Sequence, residues 1–534
     1  MNALEAASLV MIPSGYENGT LGSLKPTDGS GDFTFSRGSD ISATRVNEQG
    51  LIEKGYENLL KYSNAFSTSP WISTSLTLTS GQSGYDGSSD AWLITKTASN
   101  GRVQQSGFGT LSGVYTISLY AKKNASQWMR ILGNASTNGD VFIDLENGVF
   151  GNASNVFDTN IESVGNGWYR CSFSANYSGI FEIRIYPADG DFDTSGTSGS
   201  IYIQDAMLNQ GMVSYPYVET TTSPVAGGIL EDMPRLDYTD SSCPALLLEP
   251  QRTNLLPYSE YFDGWSQTGT TLTTNTTETL SPEGLYNASK LVGNGTSGVI
   301  KSGIAKTGSV AVSVYLKSVS GSVNVTFKDP YGGLSNQVKS VTTEWQRFDF
   351  IGDNGASFAG FWVDDIPTSG IYMWGAQLEQ DATYPTSYIP TYGTSQTRLA
   401  ENATNSVANT TSRTYFLDGK RLADEGVGNT SPVYYPNDNL KITFWTNNRF
   451  RFRFGGAINS YYTLVGDDFK IAISYNGTDS KIFVNGVYWM TQSSFNLGNI
   501  SALSISGNEG ISYNQLLLFP TALSDDECIE LTTI

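Results

Sequence analysis

The chain contains two copies of one stretch, and this duplication limits its fold more than any other feature. Residues 58–71 read NLLKYSNAFSTSPW, and residues 254–265 read NLLPYSEYFDGW. Further matches follow in the same order: 91–94 with 288–291, 115–122 with 310–317, 167–173 with 344–350, and 201–208 with 371–378. Matches in one shared order indicate two copies of one module, at about residues 58–220 and 254–398.

Short segments that alternate apolar and polar residues separate these matches, and Gly, Asn or Asp residues end most of them. This pattern is typical of antiparallel strands in a sandwich or jelly roll. Only 15% of the residues are charged and 12% are aromatic, a balance that suits short strands joined by turns better than helical bundles. The sequence therefore predicts an all-β fold with several antiparallel β-sandwich or jelly-roll modules.

Two further segments predict a small N-terminal β frame outside the copies. Residues 30–53 read SGDFTFSRGSDISATRVNEQGLIE, in which Phe33 and Phe35 alternate with polar residues before a turn. Residues 233–249 read MPRLDYTDSSCPALLLE, which predicts two short strands around a second turn. We expect residues 31–53 to pair with residues 229–250.

These two segments resemble a family of tailed-bacteriophage virion proteins, whose members are tail, fibre or head-decoration components. In that family the segments follow one another almost directly, whereas residues 54–232 intervene here. The resemblance implies that the frame docks to the virion and that the first copy is inserted into it. It also implies a homo-oligomer, because fibre proteins are commonly oligomeric.

The two copies resemble the carbohydrate-binding-type jelly rolls of phage fibres and glycoside-degrading enzymes, a resemblance of fold that assigns no ligand. The C-terminal region resembles the closing part of a laminin-G-like, concanavalin-A-type sandwich, with a hairpin signal at Asn476-Gly477 and a short helix after Ser524. The predicted units are the frame (1–53 plus 227–253), the inserted first module (54–226), the second module (254–398), a linker (399–414) and the C-terminal sandwich (415–534).

Composition excludes several kinds of site. The chain has no histidine, which rules out Ser/His/Asp triads, Cys/His dyads and His-ligated metals. Its three cysteines are far apart and are expected to be isolated core thiols. A formal charge of −20 disfavours nucleic acid as a partner, and no segment predicts membrane insertion.

Paired carboxylates are the catalytic apparatus that could still operate without histidine. The acidic pairs at 231–232, 467–468 and 525–526 are adjacent in sequence, and neighbours on a strand face opposite sides of a sheet. Turns and a helix N-terminus explain these pairs better. The sequence therefore predicts no catalytic residues and no enzyme.

Aromatic side chains are the natural platforms for sugar rings. Trp71, Trp168, Trp265 and Trp345 occur in the matched segments of the copies, so we expect them to be core. The ligand-binding candidates are aromatic residues of the C-terminal sandwich: Tyr434, Tyr435, Trp445, Tyr461, Tyr462 and Trp489.

No cofactor is required, but bound calcium is possible. The segment ADGDFDTSG places Asp189, Asp191 and Asp193 at alternating positions, a spacing that resembles the start of a calcium loop. The glycine and closing glutamate of an EF-hand are missing, so a hydrophilic hairpin loop is the alternative.

Together these features predict a structural protein at the surface of a bacteriophage virion, a tail fibre or a head appendage, with other virion proteins and host cell-surface glycans as partners. One alternative is a purely architectural decoration protein without a ligand. The other is a secreted carbohydrate-active enzyme or accessory binding module, which predicts a signal peptide and a carboxylate pair on one sheet face. Neither feature is visible in the sequence.

Overall fold

The structure of the chain, a computed structural model, describes residues 2–17, 20–38, 42, 44–133, 139–294, 297–407, 410–422, 434–437, 439–445, 448–455, 458–498, 502–507 and 510–534. The sheets in this part of the chain are antiparallel throughout, and the helices are Ala3–Ala6, Asp525–Thr532 and the 3-10 turn Phe262–Gly264. The predicted all-β class is confirmed. None of the described helices is long and apolar enough to cross a membrane.

The first copy forms one ten-stranded sheet that folds around its own core. Two long strands, Arg102–Lys123 and Trp168–Ala188, pair along most of their length and form its centre. Inward residues such as Ile117 and Phe173 are fully buried. The strands are Trp71–Thr74, Leu76–Gln82, Ala91–Lys96, Arg102–Lys123, Trp128–Gly133, Asp140–Asp144, Val149–Ser154, Asp158–Gly165, Trp168–Ala188 and Ser200–Gln210.

The second copy divides into two five-stranded sheets around one core. Strands that are continuous in the first copy are interrupted here, so each long strand corresponds to two shorter ones. One sheet contains Ser266–Thr268, Ser297–Ala305, Val323–Lys328, Gln337–Val341 and Phe358–Ile366. The other contains Thr271–Thr273, Ser289–Val292, Val310–Ser318, Gln346–Gly352 and Ile371–Gln380.

The C-terminal sandwich has a nine-stranded and a seven-stranded sheet. The nine strands are Leu9–Glu17, Thr20–Lys25, Arg235–Asp237, Ala245–Leu248, Arg413–Arg421, Asp468–Tyr475, Ser480–Val484, Val487–Gln492 and Ile511–Phe519. The seven are Thr34–Ser36, Asn402–Ser406, Tyr434–Asn437, Leu440–Trp445, Arg449–Phe454, Ile458–Thr463 and Ala502–Ser506. A three-stranded sheet contains Thr44–Val46, Ile52–Asn58 and Val225–Gly228. A two-stranded sheet pairs Arg252–Asn254 with Gln396–Arg398.

Most strands of the predicted frame belong to this sandwich, whereas Thr44–Val46 and Arg252–Asn254 lie in the smaller sheets. Leu9 pairs with Leu518, and Leu246 pairs with Tyr513, so the frame strands flank the last strand of the chain. Phe35 pairs with Ala403 in the opposite sheet. Their apolar side chains need a second layer to cover them, and the C-terminal strands supply it within one shared core.

The pairing predicted between residues 31–53 and 229–250 is therefore wrong. In the described chain the two segments share a backbone hydrogen bond from Arg37 N to Glu231 O (3.2 Å) but no ladder of paired strands.

Residues 399–414, predicted as a linker, contain the strand Asn402–Ser406, which lies inside the seven-stranded sheet and buries Ala403 and Asn405. Two cysteines are buried as expected, whereas Cys243 is exposed.

A buried ionic cluster fixes the frame segments to the sandwich. The Arg235 guanidinium lies between Glu401 (Nε to Oε1, 2.6 Å) and Glu249 (2.8 Å), and Arg398 also contacts Glu249 (3.0 Å). Burial acts to raise the pKa of Glu249, but Arg398 and Arg235 lower it to about 2. Removing one partner would leave a buried charge uncompensated, so the cluster ties these distant segments together.

A second buried cluster lies where the two copies meet. Lys54 Nζ contacts Glu260 (2.7 Å) and Glu283 (2.6 Å), and it also donates to the hydroxyl of Tyr392 (3.1 Å). Burial opposes the charge on Lys54, but the two carboxylates raise its pKa above the ordinary value. Val114 N of the first copy donates to Tyr392 O (2.6 Å), which closes the contact between the copies.

Candidate functional site

The predicted ligand-binding aromatics occupy three different environments. Tyr434 is only 1% exposed and packs edge-on against Tyr415 in the core, so it offers no surface to a ligand. Tyr462 and Trp489 are half-buried and pack against each other with ring centroids 5.5 Å apart, at the margin of the core. The side chain of Tyr435 lies outside the described residues.

Trp445 and Tyr461 are the two predicted residues that lie together on an outer surface. They belong to Leu440–Trp445 and Ile458–Thr463, which flank Arg449–Phe454, and their ring centroids are 5.8 Å apart. Tyr461 is 40% exposed and Trp445 is half-buried. We call this surface the outer face of the seven-stranded sheet.

The central strand of this face reads RFRFRF, and its alternation explains the geometry. Successive side chains of a strand point to opposite sides, so Phe450, Phe452 and Phe454 enter the core while three arginines point outward. These arginines were not among the predicted binding residues, although the strict Arg/Phe alternation was a signal that could have identified them.

Arginines and aromatic rings stack alternately along the outer face. The guanidinium carbon of Arg451 lies 4.4 Å from the centroid of the Trp445 ring, and its Nε donates to Thr443 Oγ1 (3.1 Å). Arg451 pairs with Tyr461 across the ladder, and Arg449 lies 5.3 Å from the Tyr461 ring. Burial lowers the pKa of Arg451, although Tyr461 partly offsets this. The stacked groups therefore hold one another in position.

The charge of this face differs from that of the whole chain. Its three strands contain four basic residues, Lys441, Arg449, Arg451 and Arg453, and no acidic residue. The chain as a whole has 51 acidic and 31 basic residues. A local surplus of positive charge beside the exposed ring of Tyr461 suits a partner that is both anionic and able to stack.

The tryptophans in the matched segments are mostly structural, as expected. Trp71, Trp168 and Trp265 are 5%, 2% and 3% exposed. Trp345 is half-buried rather than fully buried, and its indole nitrogen donates to Leu280 O (2.8 Å).

The three aspartates proposed for calcium turn to separate partners. Asp189 contacts Lys96 (2.6 Å), Asp191 accepts from the backbone of Asn152 (2.7 Å), and Asp193 accepts from Ser195 N (2.8 Å). In the described part of the chain, no three acidic or cysteine side chains gather closely enough to hold a metal ion. In this arrangement the three carboxylates face separate partners, and calcium binding at Asp189, Asp191 and Asp193 stays a prediction.

Carboxylates do meet at Glu260 and Glu283, but both are buried and both contact Lys54. A glycosidase needs its carboxyl groups on either side of an open groove, where a sugar can enter. This pair is closed to substrate.

Comparisons with known proteins give no family: no family model and no curated protein matches the chain. The tandem CBM22 domain of Xyn10C from Paenibacillus barcinonensis is similar at 11% identity, covering 65% of this chain and 100% of that one, with a TM-score of 0.23. Tandem CBM51 modules of a family 98 glycoside hydrolase from Streptococcus pneumoniae match at 10% identity, 65% and 99% coverage, and a TM-score of 0.17. TM-scores this low do not establish a common fold.

Proposed function

We propose that this chain is a non-catalytic structural component of a bacteriophage virion, displayed at the virion surface, that binds anionic glycans of the host cell through its outer face. The observation that carries the binding role is the stack of Trp445, Arg451, Tyr461 and Arg449 on strands without an acidic residue. The virion role is supported by the resemblance of residues 30–53 and 233–265 to virion proteins.

The groups of the outer face suit an acidic sugar for physical reasons. A pyranose ring presents C–H groups that pack on an aromatic face, and Tyr461, which is 40% exposed and held beside Trp445, offers such a face. A guanidinium can bind a carboxylate, sulfate or phosphate through two parallel hydrogen bonds. The arginines are already stacked against rings, so binding would cost little additional ordering.

One such face would bind weakly, and many copies on a particle would convert weak binding into useful avidity. A homo-oligomer in contact with other virion proteins would provide these copies. Attachment to the particle would use the surface of the assembled C-terminal sandwich, because the strands Leu9–Glu17 and Ala245–Leu248 are already paired inside it.

The test is binding of the full chain to an array of neutral and acidic glycans. The fragment 400–534 is unsuitable, because five strands of its two sheets come from residues before 250. We expect acidic glycans to bind and Tyr461→Ala to weaken binding about tenfold, the loss that one aromatic contact can produce.

Tyr488→Ala is the matched control, since Tyr488 is 45% exposed on the other sheet of the same sandwich. Equal effects of the two substitutions, or a folded chain that binds no acidic glycan, would contradict the proposed binding role. Mass spectrometry of purified particles from a phage that encodes the chain tests the virion role separately.

A further inference from the structure

A cleft of about 260 Å³ lies between the first and second copies, and most of its lining residues are polar, with Val213 and Leu285 as apolar members. Its floor consists of the hydroxyl side chains Ser172, Ser174 and Ser214 of the first copy. One wall is the strand Asp158–Gly165, and the other is the segment 275–286 of the second copy. The cleft therefore requires both copies.

The first wall exists in one copy only. In the second copy, Gln337–Val341 is followed directly by Gln346–Gly352, whereas the first copy inserts Val149–Ser154 and Asp158–Gly165 at the corresponding place. The added strand pairs Asn160 with Ser172 and Glu162 with Arg170. This register lines up the polar side chains of the wall with those of the floor.

The second wall is fixed to the first by a buried asparagine. Asn275 is 7% exposed, and its Nδ2 donates to Asp158 Oδ2 and to Met212 O, both at 2.8 Å. Its φ of +46° lies in the left-handed region, which asparagine tolerates better than most residues. These bonds define the shape of the cleft before any ligand binds.

Two exposed side chains stand at the opening of the cleft. Tyr286 is 51% exposed and can present its ring to a ligand, and Thr277 is exposed beside it. Neither residue packs in a core, so both can be replaced without opening a cavity in the fold.

The lining offers both donors and acceptors. The hydroxyls of Ser172 and Ser214 can do both, Asn160 adds an amide, and Arg170, opposite Glu162 in the ladder, adds a guanidinium. Asp158 and Glu162 add carboxylates, whereas the Ser174 hydroxyl is already bonded to Met212 O and Thr116 Oγ1. Sugar hydroxyls both donate and accept, so they match such a lining. Two carboxylates against one guanidinium disfavour an anion. The volume is below the range of about 300–1,000 Å³ found for drug-sized ligands, which suits one small ring.

We propose that this cleft binds a single neutral pyranose unit. The choice of a sugar as ligand rests on the proposed glycan-binding function, whereas the position and polarity of the cleft do not. The site is separate from the outer face and has the opposite charge preference.

Saturation-transfer NMR on the full chain tests the proposal, with the methyl pyranosides of glucose, galactose, mannose and N-acetylglucosamine as probes. We expect at least one probe to receive saturation from the protein. Thr277→Trp fills the opening and should abolish the signal, and Tyr286→Ala removes the ring and should weaken binding about tenfold.

Ser163→Trp is the control for added bulk, because Ser163 is exposed on the same strand and does not line the cleft. Trp445→Ala reports any saturation that arises at the outer face instead of the cleft. Ser163→Trp should leave the signal unchanged, and circular dichroism should show that every variant is folded.

Three results would overturn the proposal: no saturation of any probe in the wild-type chain, an unchanged signal in Thr277→Trp, or a loss in Trp445→Ala instead. Binding of acidic glycans without any pyranoside signal would also overturn it while leaving the proposed function intact. If the chain bound neither acidic glycans on the array nor any pyranoside by NMR, both the proposed glycan-binding function and the proposed cleft ligand would be wrong.

Discussion

The two copies share a skeleton of buried polar residues, although their sheets differ in shape. Asn58 and Asn254 stand at the same point of each copy and are both buried. In each, the amide group donates to two backbone carbonyls and accepts from two backbone amides. The partners are Ala206 O, Val218 O, Leu60 N and Leu208 N at 2.8–3.3 Å in the first copy, and Ala376 O, Ile389 O, Leu256 N and Leu378 N at 2.8–3.2 Å in the second.

A serine and a tyrosine repeat in the same way. Ser63 shares a hydrogen bond with the Tyr217 hydroxyl (2.7 Å), and Ser259 shares one with Tyr388 (2.6 Å). These tyrosines belong to a further match, residues 214–221 with 385–392, that the sequence comparison missed, because few residue types coincide there. The difference between the copies therefore lies outside the skeleton, in added strands and surface residues.

The comparison predicts that the two asparagines are equally important. Asn58→Ala and Asn254→Ala would each leave four buried backbone groups without a partner. At about 1 kcal/mol or more for each group, we expect a loss of about 4 kcal/mol of unfolding free energy in either copy. Chemical denaturation, followed by hydrogen exchange of each copy, measures the loss.

Asn402→Ala is the control, because Asn402 is exposed and makes one long hydrogen bond to Ala400 O (3.4 Å). It should cost less than about 0.5 kcal/mol. A large loss in one copy and a small loss in the other would show that the two skeletons are not equivalent.

Local pattern was enough to predict strands, turns and caps. The Asn476-Gly477 signal does lie between the paired strands Asp468–Tyr475 and Ser480–Val484, and Ser524 does cap the final helix, with a reciprocal bond to Glu527. These features depend on residues close in sequence, so the sequence carries the information directly.

Long-range pairing could not be predicted in this way. Nothing near Leu9 indicates Leu518 as its neighbour, because an alternating strand can pair with any other apolar strand. Likewise, alternation places Tyr461 and Tyr462 on opposite faces, but which face is buried depends on the second sheet. The cleft between the copies was missed because its walls come from separate modules.

The repeated serines give a smaller test of the same skeleton. Ser63→Ala and Ser259→Ala each remove the acceptor for one backbone amide, Thr220 N (2.9 Å) and Thr391 N (2.7 Å). We expect a loss of about 2 kcal/mol in either copy, the cost of one buried donor without a partner.

Ser→Cys at the same two positions separates packing from hydrogen bonding, since a thiol keeps volume but accepts weakly. It should destabilise each copy almost as much as alanine. A stable cysteine variant would show that the serines act by filling space, and the shared-skeleton interpretation would lose one of its elements.

The last strand of each copy contains a β-bulge, in Ser200–Gln210 and in Ile371–Gln380. The residue at this bulge differs between the copies: it is Asp205 (φ +53°) in the first and Gly375 (φ +63°) in the second. Burial, with nearby Asp90 and Asp86, raises the pKa of Asp205 to about 7 from an ordinary value of 3.8. The native state then holds this proton more tightly than the unfolded state, so the contribution of Asp205 to stability is greatest below about pH 4 and is lost as the pH rises towards 7.

Asp205→Asn keeps an acceptor for the Tyr85 hydroxyl (3.1 Å) and should remove this loss, stabilising the first copy by about 1 kcal/mol at pH 8 after allowance for solvent screening. Hydrogen exchange of 200–210 against 371–380 between pH 5 and 8 measures it, and an equal pH response of the strand with Gly375 would show that Asp205 is not the cause.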